Sequence, residues 1–229
     1  MPRRRRIGAG GYVYHVLNRG AGRMTLFRKD GDYEAFIRVM QQTAPRVPGL
    51  ELFCYCLMPN HWHLLLRPRA DGELSEFMRL LTVTHTQRWH AHRCSAGTGP
   101  VYQGRFKSFP VQDDGHFLTV ARYVEQNPLR ADLIERVEDW PWTSLAARRG
   151  LLPERAAPVA GWPNALGVPK GWLRTVNTLP RSTETDVVRR CVVRGRPLGD
   201  ADWTAATVER LELMSTLQPR GRPRRPLDD

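Results

Sequence analysis

Two histidines one position apart, His61 and His63, open the apolar run of NHWHLLLRP (residues 60–68). Alternate strand side chains point to opposite faces, so on a strand both imidazoles share a face while Trp62 and Leu64 take the other. Neutral imidazoles side by side form a pincer for a divalent metal, although two ligands alone hold a metal weakly and a third group is needed. A second constellation lies in RYVEQNPLRADL (residues 122–133). Helical spacing stacks the Tyr123 phenol and the Asn127 carboxamide on one side, with Gln126 about 100° further round. A phenol with a free pKa of about 10 is a poor nucleophile. It needs little activation when its target is a phosphodiester whose oxygens a metal neutralises. Each feature alone has an ordinary explanation: H-x-H is more often two hydrogen-bonded surface histidines, and a lone helix tyrosine is more often a half-buried aromatic.

The elements that must position these groups follow from periodicity. GYVYHVLN (residues 11–18) is β-branched and aromatic and predicts a strand; DGDYEAFIRVMQQTA (30–44) predicts a helix with an acidic first turn, ended by Pro45 and Pro48. LELFCYCLM (50–58) and HWHLLLR (61–67) predict a hairpin about Pro59-Asn60. GELSEFMRLLTVTHTQRWHAHR (72–93) is a long helix pattern whose Leu74, Phe77, Met78, Leu81, His85 and Trp89 share a face. GTGPVYQGRFKSFPVQ (97–112) leads into a fourth strand, and DDGHFLTVARYVEQN (113–127) into a helix stopped by Pro128. The order β-α-β-β-α-β-α predicts an α+β, ferredoxin-like or RRM-like fold, a four-stranded antiparallel sheet with helices on one face and the other face open to a ligand. The expected organisation is a catalytic domain over residues 1–150, a Pro/Gly-rich linker or arm over 151–181, and a C-terminal extension over 182–229 with two short helices and a basic, disordered tail.

Charge points to the partner. Thirty-five Lys plus Arg against 23 Asp plus Glu give +12, and only Lys29, Lys107 and Lys170 are lysines. Such an excess concentrates polyanions, and arginine forks onto phosphate with two parallel hydrogen bonds. The four cysteines are too few and too irregular for a disulfide framework. No apolar run approaches the roughly 20 residues of a membrane helix, and the basic N-terminus lacks a secretory apolar stretch, so a soluble cytoplasmic, nucleoid-associated protein is expected. If the hairpin loop is only Pro59-Asn60, Cys54, Cys56, His61 and His63 fall on one face and a Cys₂His₂ zinc site is conceivable; the sequence does not fix that parity. His85, His90 and His92 lack ligand spacing and read as packing or surface residues.

The motifs YHVLNRG, LFRKDGDYEAF, YCLMPNHWHLLL, THTQRWHAH, YQGRFKSFPV, RYVEQNPLRADL and WPWTSL together resemble the HUH-type single-tyrosine transposases, specifically the bacterial REP-associated tyrosine transposases. The resemblance runs in unbroken order over about residues 10–147, and the later RGRPLG is similar to a C-terminal motif of that group. It implies that His61 and His63 are metal ligands, that Asn127 supplies the third, with the neighbouring Gln126 as the alternative, and that Tyr123 is the nucleophile. The implied reaction cleaves single-stranded DNA at REP-type hairpins through a covalent 5′-phosphotyrosine, assisted by Mg²⁺ or Mn²⁺, in DNA transposition and recombination. The alternative is a catalytically lapsed hairpin-binding protein or repressor of the same fold. A relaxase or rolling-circle initiator fits less well, since relaxases place the tyrosine before the histidines and initiators commonly carry lysine near it. Expected DNA contacts are Arg3, Arg4, Arg5 and Arg6; Gln103, Arg105 and Lys107 on alternate positions of one strand; Arg130; and Arg194 and Arg196 in RGRP, which occurs again at residues 220–223. RGRP resembles an AT-hook core suited to a narrow minor groove. A monomer is favoured over a homodimer.

Overall fold

A computed structural model describes residues 8–150, 156–163, 166–180 and 182–218. β1 (Val13–Arg19), β2 (Glu51–Met58), β3 (His61–Arg67) and β4 (Lys107–Val111) form one sheet in the order β2-β3-β1-β4, every neighbouring pair antiparallel. α1 (Asp30–Thr43) and α2 (Glu73–Arg93) make the crossovers, giving the expected α+β arrangement. The β2–β3 loop is the two-residue Pro59-Asn60, which fixes Met58 opposite His61, Cys56 opposite His63 and Cys54 opposite Leu65.

One sheet face, carrying Tyr14, Val16, Tyr55, Trp62, Leu64 and Leu66, packs on α1 through Phe36, Ile37 and Met40 and on α2 through Leu74, Phe77, Met78 and Leu81. These positions repeat at helical spacing, so each helix buries one continuous stripe. His85 joins this core, bonded through Nδ1 to the Tyr102 hydroxyl at 2.7 Å, which fulfils its expected packing role.

The second face differs from the expectation that it stays open. α3 (Gly115–Glu125) lies across it with Phe117, Val120, Ala121 and Val124 buried. Those residues form a stripe that demands cover, and the near-continuous apolar run of β2 is the pattern of a strand buried on both faces. α6 (Trp172–Asn177) and α7 (Ser182–Arg194) extend this core with Trp172, Val176, Val188 and Cys191. α8 (Ala201–Arg210) follows, with Asp200 capping it by accepting from the Trp203 amide at 2.8 Å.

The segment expected as an arm is also seated. Ala157 and Trp162 are buried, and the Ala160 amide donates to Leu52 O of β2 at 2.7 Å. On the opposite edge Leu198 exchanges backbone hydrogen bonds with β4, accepting from Gln112 N and donating to Pro110 O, both at 2.9 Å. Both edge strands are thereby engaged, which removes open templates for strand pairing. The tail beyond residue 218, including the second RGRP, lies outside the described residues, as do Arg3, Arg4, Arg5 and Arg6.

Candidate active site

β1 and β3 turn His15, Leu17 and Arg19, and His61, His63 and Leu65, onto the face that α3 covers; the register pairs Leu17 with His63 and Arg19 with His61. The imidazoles of His61 and His63 lie with ring centroids 5.0 Å apart. His63 is buried, at 4% exposure, whereas His61 is partly exposed. His61 Nδ1 is held by Asn60 Oδ1 at 2.6 Å, and His63 Nδ1 by His15 Nε2 at 2.9 Å. Burial, aided by the charges of Arg19 and Arg130, lowers the His61 pKa to about 4. Burial, with the neighbouring His61 and His15, holds His63 well below its ordinary value, and burial takes His15 to about 3. All three are therefore neutral near pH 7, the protonation state that a metal ligand requires.

Tyr123 stands on α3 with its ring edge-on to His63, centroids 5.9 Å apart and planes at 80°. The Arg130 guanidinium lies 3.9 Å over that ring. Its Nη2 donates to Asn127 Oδ1 at 3.0 Å, while Nε and Nη1 are buried without hydrogen-bond partners. Asn127 does not continue α3. The helix ends at Glu125, and Asn127 opens the short α4 (Asn127–Arg130), because Pro128 has no amide hydrogen to extend the ladder. Asn127 still folds back, donating from Nδ2 to Tyr123 O at 2.9 Å and to Val124 O at 3.2 Å. Gln126 turns away, its amide donating to Val176 O at 2.7 Å and Thr178 O at 2.8 Å.

The structure thus brings His61, His63, Tyr123, Asn127 and Arg130 into one neighbourhood. Nε2 of each histidine and the remaining lone pair of Asn127 Oδ1, which also accepts from Arg130, could hold a cation. The oxygen ligands, the carboxamide and any phosphate oxygens, are the ones that suit Mn²⁺ or Mg²⁺, whereas imidazole nitrogens serve softer metals as well. The zinc alternative has its face; burial pushes the Cys54 thiol up to about 12 and Cys56 well above its ordinary value, so a bound zinc would have to displace both thiol protons. Among the described residues no three His, Cys, Asp or Glu side chains group to hold a metal.

The row expected from Gln103, Arg105 and Lys107 is not a strand face. β4 begins only at Lys107, and Gln103 and Arg105 sit in an irregular bend fixed by Gln103 N donating to Arg19 O at 2.9 Å and Asn18 Nδ2 to Gly104 O at 3.3 Å. Gly104 and the bridge at Tyr102 break the alternation; all three side chains are exposed. Arg194 is the last residue of α7, Gly195 is left-handed at φ 70°, and Arg196 is exposed before buried Pro197 and Leu198. Here RGRP is a helix-ending turn. With Arg189 and Arg190 its arginines line an open cleft of about 1010 Å³ beside α8.

Two functional-site neighbours escaped the sequence reading. His15 sat inside an apparent core strand, and Glu125 next to the tyrosine; only burial singles them out. Glu125 is fully buried, accepting from Ser144 Oγ at 2.6 Å and Trp172 Nε1 at 2.8 Å and paired with Arg148. It ties α3, which carries Tyr123, to α5 (Ser144–Arg148) and α6.

Comparison with known proteins agrees with this geometry. Residues 10–127 match the family described as Transposase IS200 like. A Haemophilus influenzae protein described as a REP-associated tyrosine transposase is 26% identical over 117 residues, which are 48% of this chain and 66% of that protein. A solved REP-associated tyrosine transposase bound to a REP hairpin superposes with TM-score 0.53 at 20% identity, covering 73% of this chain and 97% of the other. A Deinococcus radiodurans transposase structure overlaps less, at TM-score 0.37 and 16% identity, covering 69% of this chain and all of that one. Among the described residues no helix is long and apolar enough to cross a membrane. With its family match spanning more than half its length, the chain belongs to the IS200-like transposases and is similar to their REP-associated tyrosine members.

Proposed function

We propose that this protein is a metal-dependent single-stranded DNA endonuclease and strand transferase, an HUH single-tyrosine transposase acting at REP-type hairpins. The observation that carries the reading is the neutral His61–His63 pair with the Tyr123 ring 5.9 Å away under an arginine. In the cleavage step the Tyr123 oxygen bonds to the scissile phosphorus, the bond from phosphorus to the 3′-oxygen breaks, the phenol proton passes to solvent, and the departing 3′-oxygen takes up a proton. The 5′-phosphotyrosine keeps the phosphodiester bond energy, so a 3′-hydroxyl reverses the step without ATP. His61, His63 and Asn127 would hold Mg²⁺ or Mn²⁺, which would supply Lewis-acid polarisation of the phosphate. The unpartnered Nε and Nη1 of Arg130 suit a phosphate oxygen beside Tyr123.

The substrate is single-stranded at the cut, because α3 and the C-terminal helices cover most of the sheet face and, of the two histidines, leave His61 the partly exposed one. The stem would run over exposed Arg196 and the cleft of α7, held mainly by salt-sensitive phosphate contacts; Gln103, Arg105 and Lys107 present further donors. Tyr123 lies beside His63 of its own chain, so the proposed site needs no second copy, and a monomer is the state proposed. The test is end-labelled hairpin DNA incubated with Mn²⁺ and run on a denaturing gel. A covalent adduct lost in Tyr123→Phe is expected; tight binding without an adduct would instead establish the catalytically lapsed alternative.

A further inference from the structure

His15 belongs to β1, is fully buried, and has no place in the reaction just described. Its ring stacks on His63 with centroids 5.0 Å apart and planes at 26°, and its Nε2 lies 2.9 Å from His63 Nδ1. Phe109 at 5.0 Å and Tyr123 at 6.0 Å wall it in. The other ring nitrogen, Nδ1, is buried with no hydrogen-bond partner. An apolar side chain would fill this enclosure without leaving an orphaned polar atom, which is costly when buried. The histidine therefore does something that packing does not need.

Between two neutral imidazoles one nitrogen donates and the other accepts. Were His15 Nε2–H the donor, the His63 proton would sit on Nε2 and close that nitrogen to a metal. With His63 Nδ1–H donating, its Nε2 lone pair stays free. His61 is held the same way, because Asn60 Oδ1 only accepts and so fixes the His61 proton on Nδ1. Both members of the pair then have an outer acceptor on Nδ1 and an open Nε2.

We infer that His15 is a positioning residue that accepts the Nδ1 proton of His63 and thereby sets the tautomer and ring orientation with which His63 presents Nε2 to a divalent cation. The inference rests on the metal-site reading proposed above. Outer partners of this kind are worth about 10–100-fold in metal affinity. No water replaces His15, since the site around it is closed.

The experiment has three arms. Long-range ¹H–¹⁵N correlation spectra of the wild-type protein read the His63 tautomer directly, without any substitution; the proton is expected on Nδ1, and a proton on Nε2 overturns the inference. Mn²⁺ binding in the presence of hairpin DNA is then compared for His15→Phe, which keeps a ring but no acceptor, and His15→Gln, whose Oε1 can take the place of Nε2. The Phe variant is expected to lose about 10–100-fold in Mn²⁺ affinity and the Gln variant to recover most of it, with hairpin affinity in EDTA unchanged for both. A packing role predicts the reverse order, since Phe suits the apolar enclosure better, and thermal unfolding of the two variants reports that order separately. Equal Mn²⁺ affinity in both variants overturns the inference alone. A wild-type protein that binds no Mn²⁺ with hairpin present overturns the metal-site reading and this inference with it.

Discussion

The two faces of the sheet are built from the same strands and do different work. Toward α1 and α2 the buried polar groups are mostly paired: Tyr102 accepts a hydrogen bond from Trp62 and is bonded to His85, and Asp32 pairs with Arg93, whose Nε is the atom left without a partner there among the described residues. Toward α3 the buried polar atoms are left wanting, with His15 Nδ1, Arg19 Nε, Arg130 Nε and Nη1, and Gln126 Oε1 all unpartnered. Unsatisfied buried groups are costly and uncommon, so those of His15 and Arg130, which touch His63 and Tyr123, mark a place where stability has been given up for chemistry. The neutral imidazoles, the phenol and the spare guanidinium nitrogens all lie there.

The sharpest way to break this contrast is Tyr123→Phe. Adduct formation should fall by at least about 10³-fold while hairpin affinity stays within about twofold; an adduct that persists would detach the α3 face from catalysis. Phe36→Ala on the opposite face should cost about 3–5 kcal/mol in urea unfolding, yet change cleavage only through the folded fraction. Glu125→Ala should cost somewhat less, about 3 kcal/mol, because the largely buried Arg148 loses its carboxylate while keeping its bond to Phe53 O. It should also slow cleavage by folded protein, since Glu125 anchors the helix that bears Tyr123. His61→Ala should lower cleavage by about 10²-fold at fixed Mn²⁺ and spare metal-free hairpin binding; equal loss of both would make His61 a structural residue.

Acid should discriminate the faces more gently. His61 at about 4 and His15 at about 3 lie below the ordinary 6.5, as burial also holds His63 well below it, and on the other face His85 stands at about 4. As pH falls through 6.5 the unfolded chain takes up protons that the folded protein refuses, so stability is full above that pH and declines towards pH 4. The urea midpoint should therefore drop between pH 7 and pH 5, and His15→Phe should flatten that slope more than any change on the α1–α2 face outside His85. The smallest effect is expected at the cleft: Arg196→Ala should weaken hairpin binding only a few-fold and reduce the salt slope by about 1.

The strands, α1, α2 and the hairpin were legible because their apolar periods of 2 and 3.6 leave little choice of burial. The pairing of His61 with His63 was legible for the same reason, and the spacing of Tyr123 and Asn127 survives even though Pro128 splits the helix between them. The covered second face is written in the continuous run of β2 and the stripe of α3, but the β-α-β-β-α-β-α order by itself places helices on one face only and leaves the other open. Gln103 and Arg105 misled because alternation of polar residues carries no information about where pairing begins.

What the sequence alone determined is local: which residues alternate, which stack at one helical turn, and how much positive charge the chain carries; the register across Pro59-Asn60 was settled only by the fold. Only the tertiary structure decided that His15 meets His63, that Arg130 folds over Tyr123, that Glu125 is sealed among Ser144, Arg148 and Trp172, and that the segment after residue 155 closes the sheet edge. Those pairs are 48, 7 and up to 47 residues apart in the chain for His15–His63, Arg130–Tyr123 and Glu125–Trp172. Contacts of that kind are chosen by competition for a shared buried volume, which no single stretch of sequence encodes.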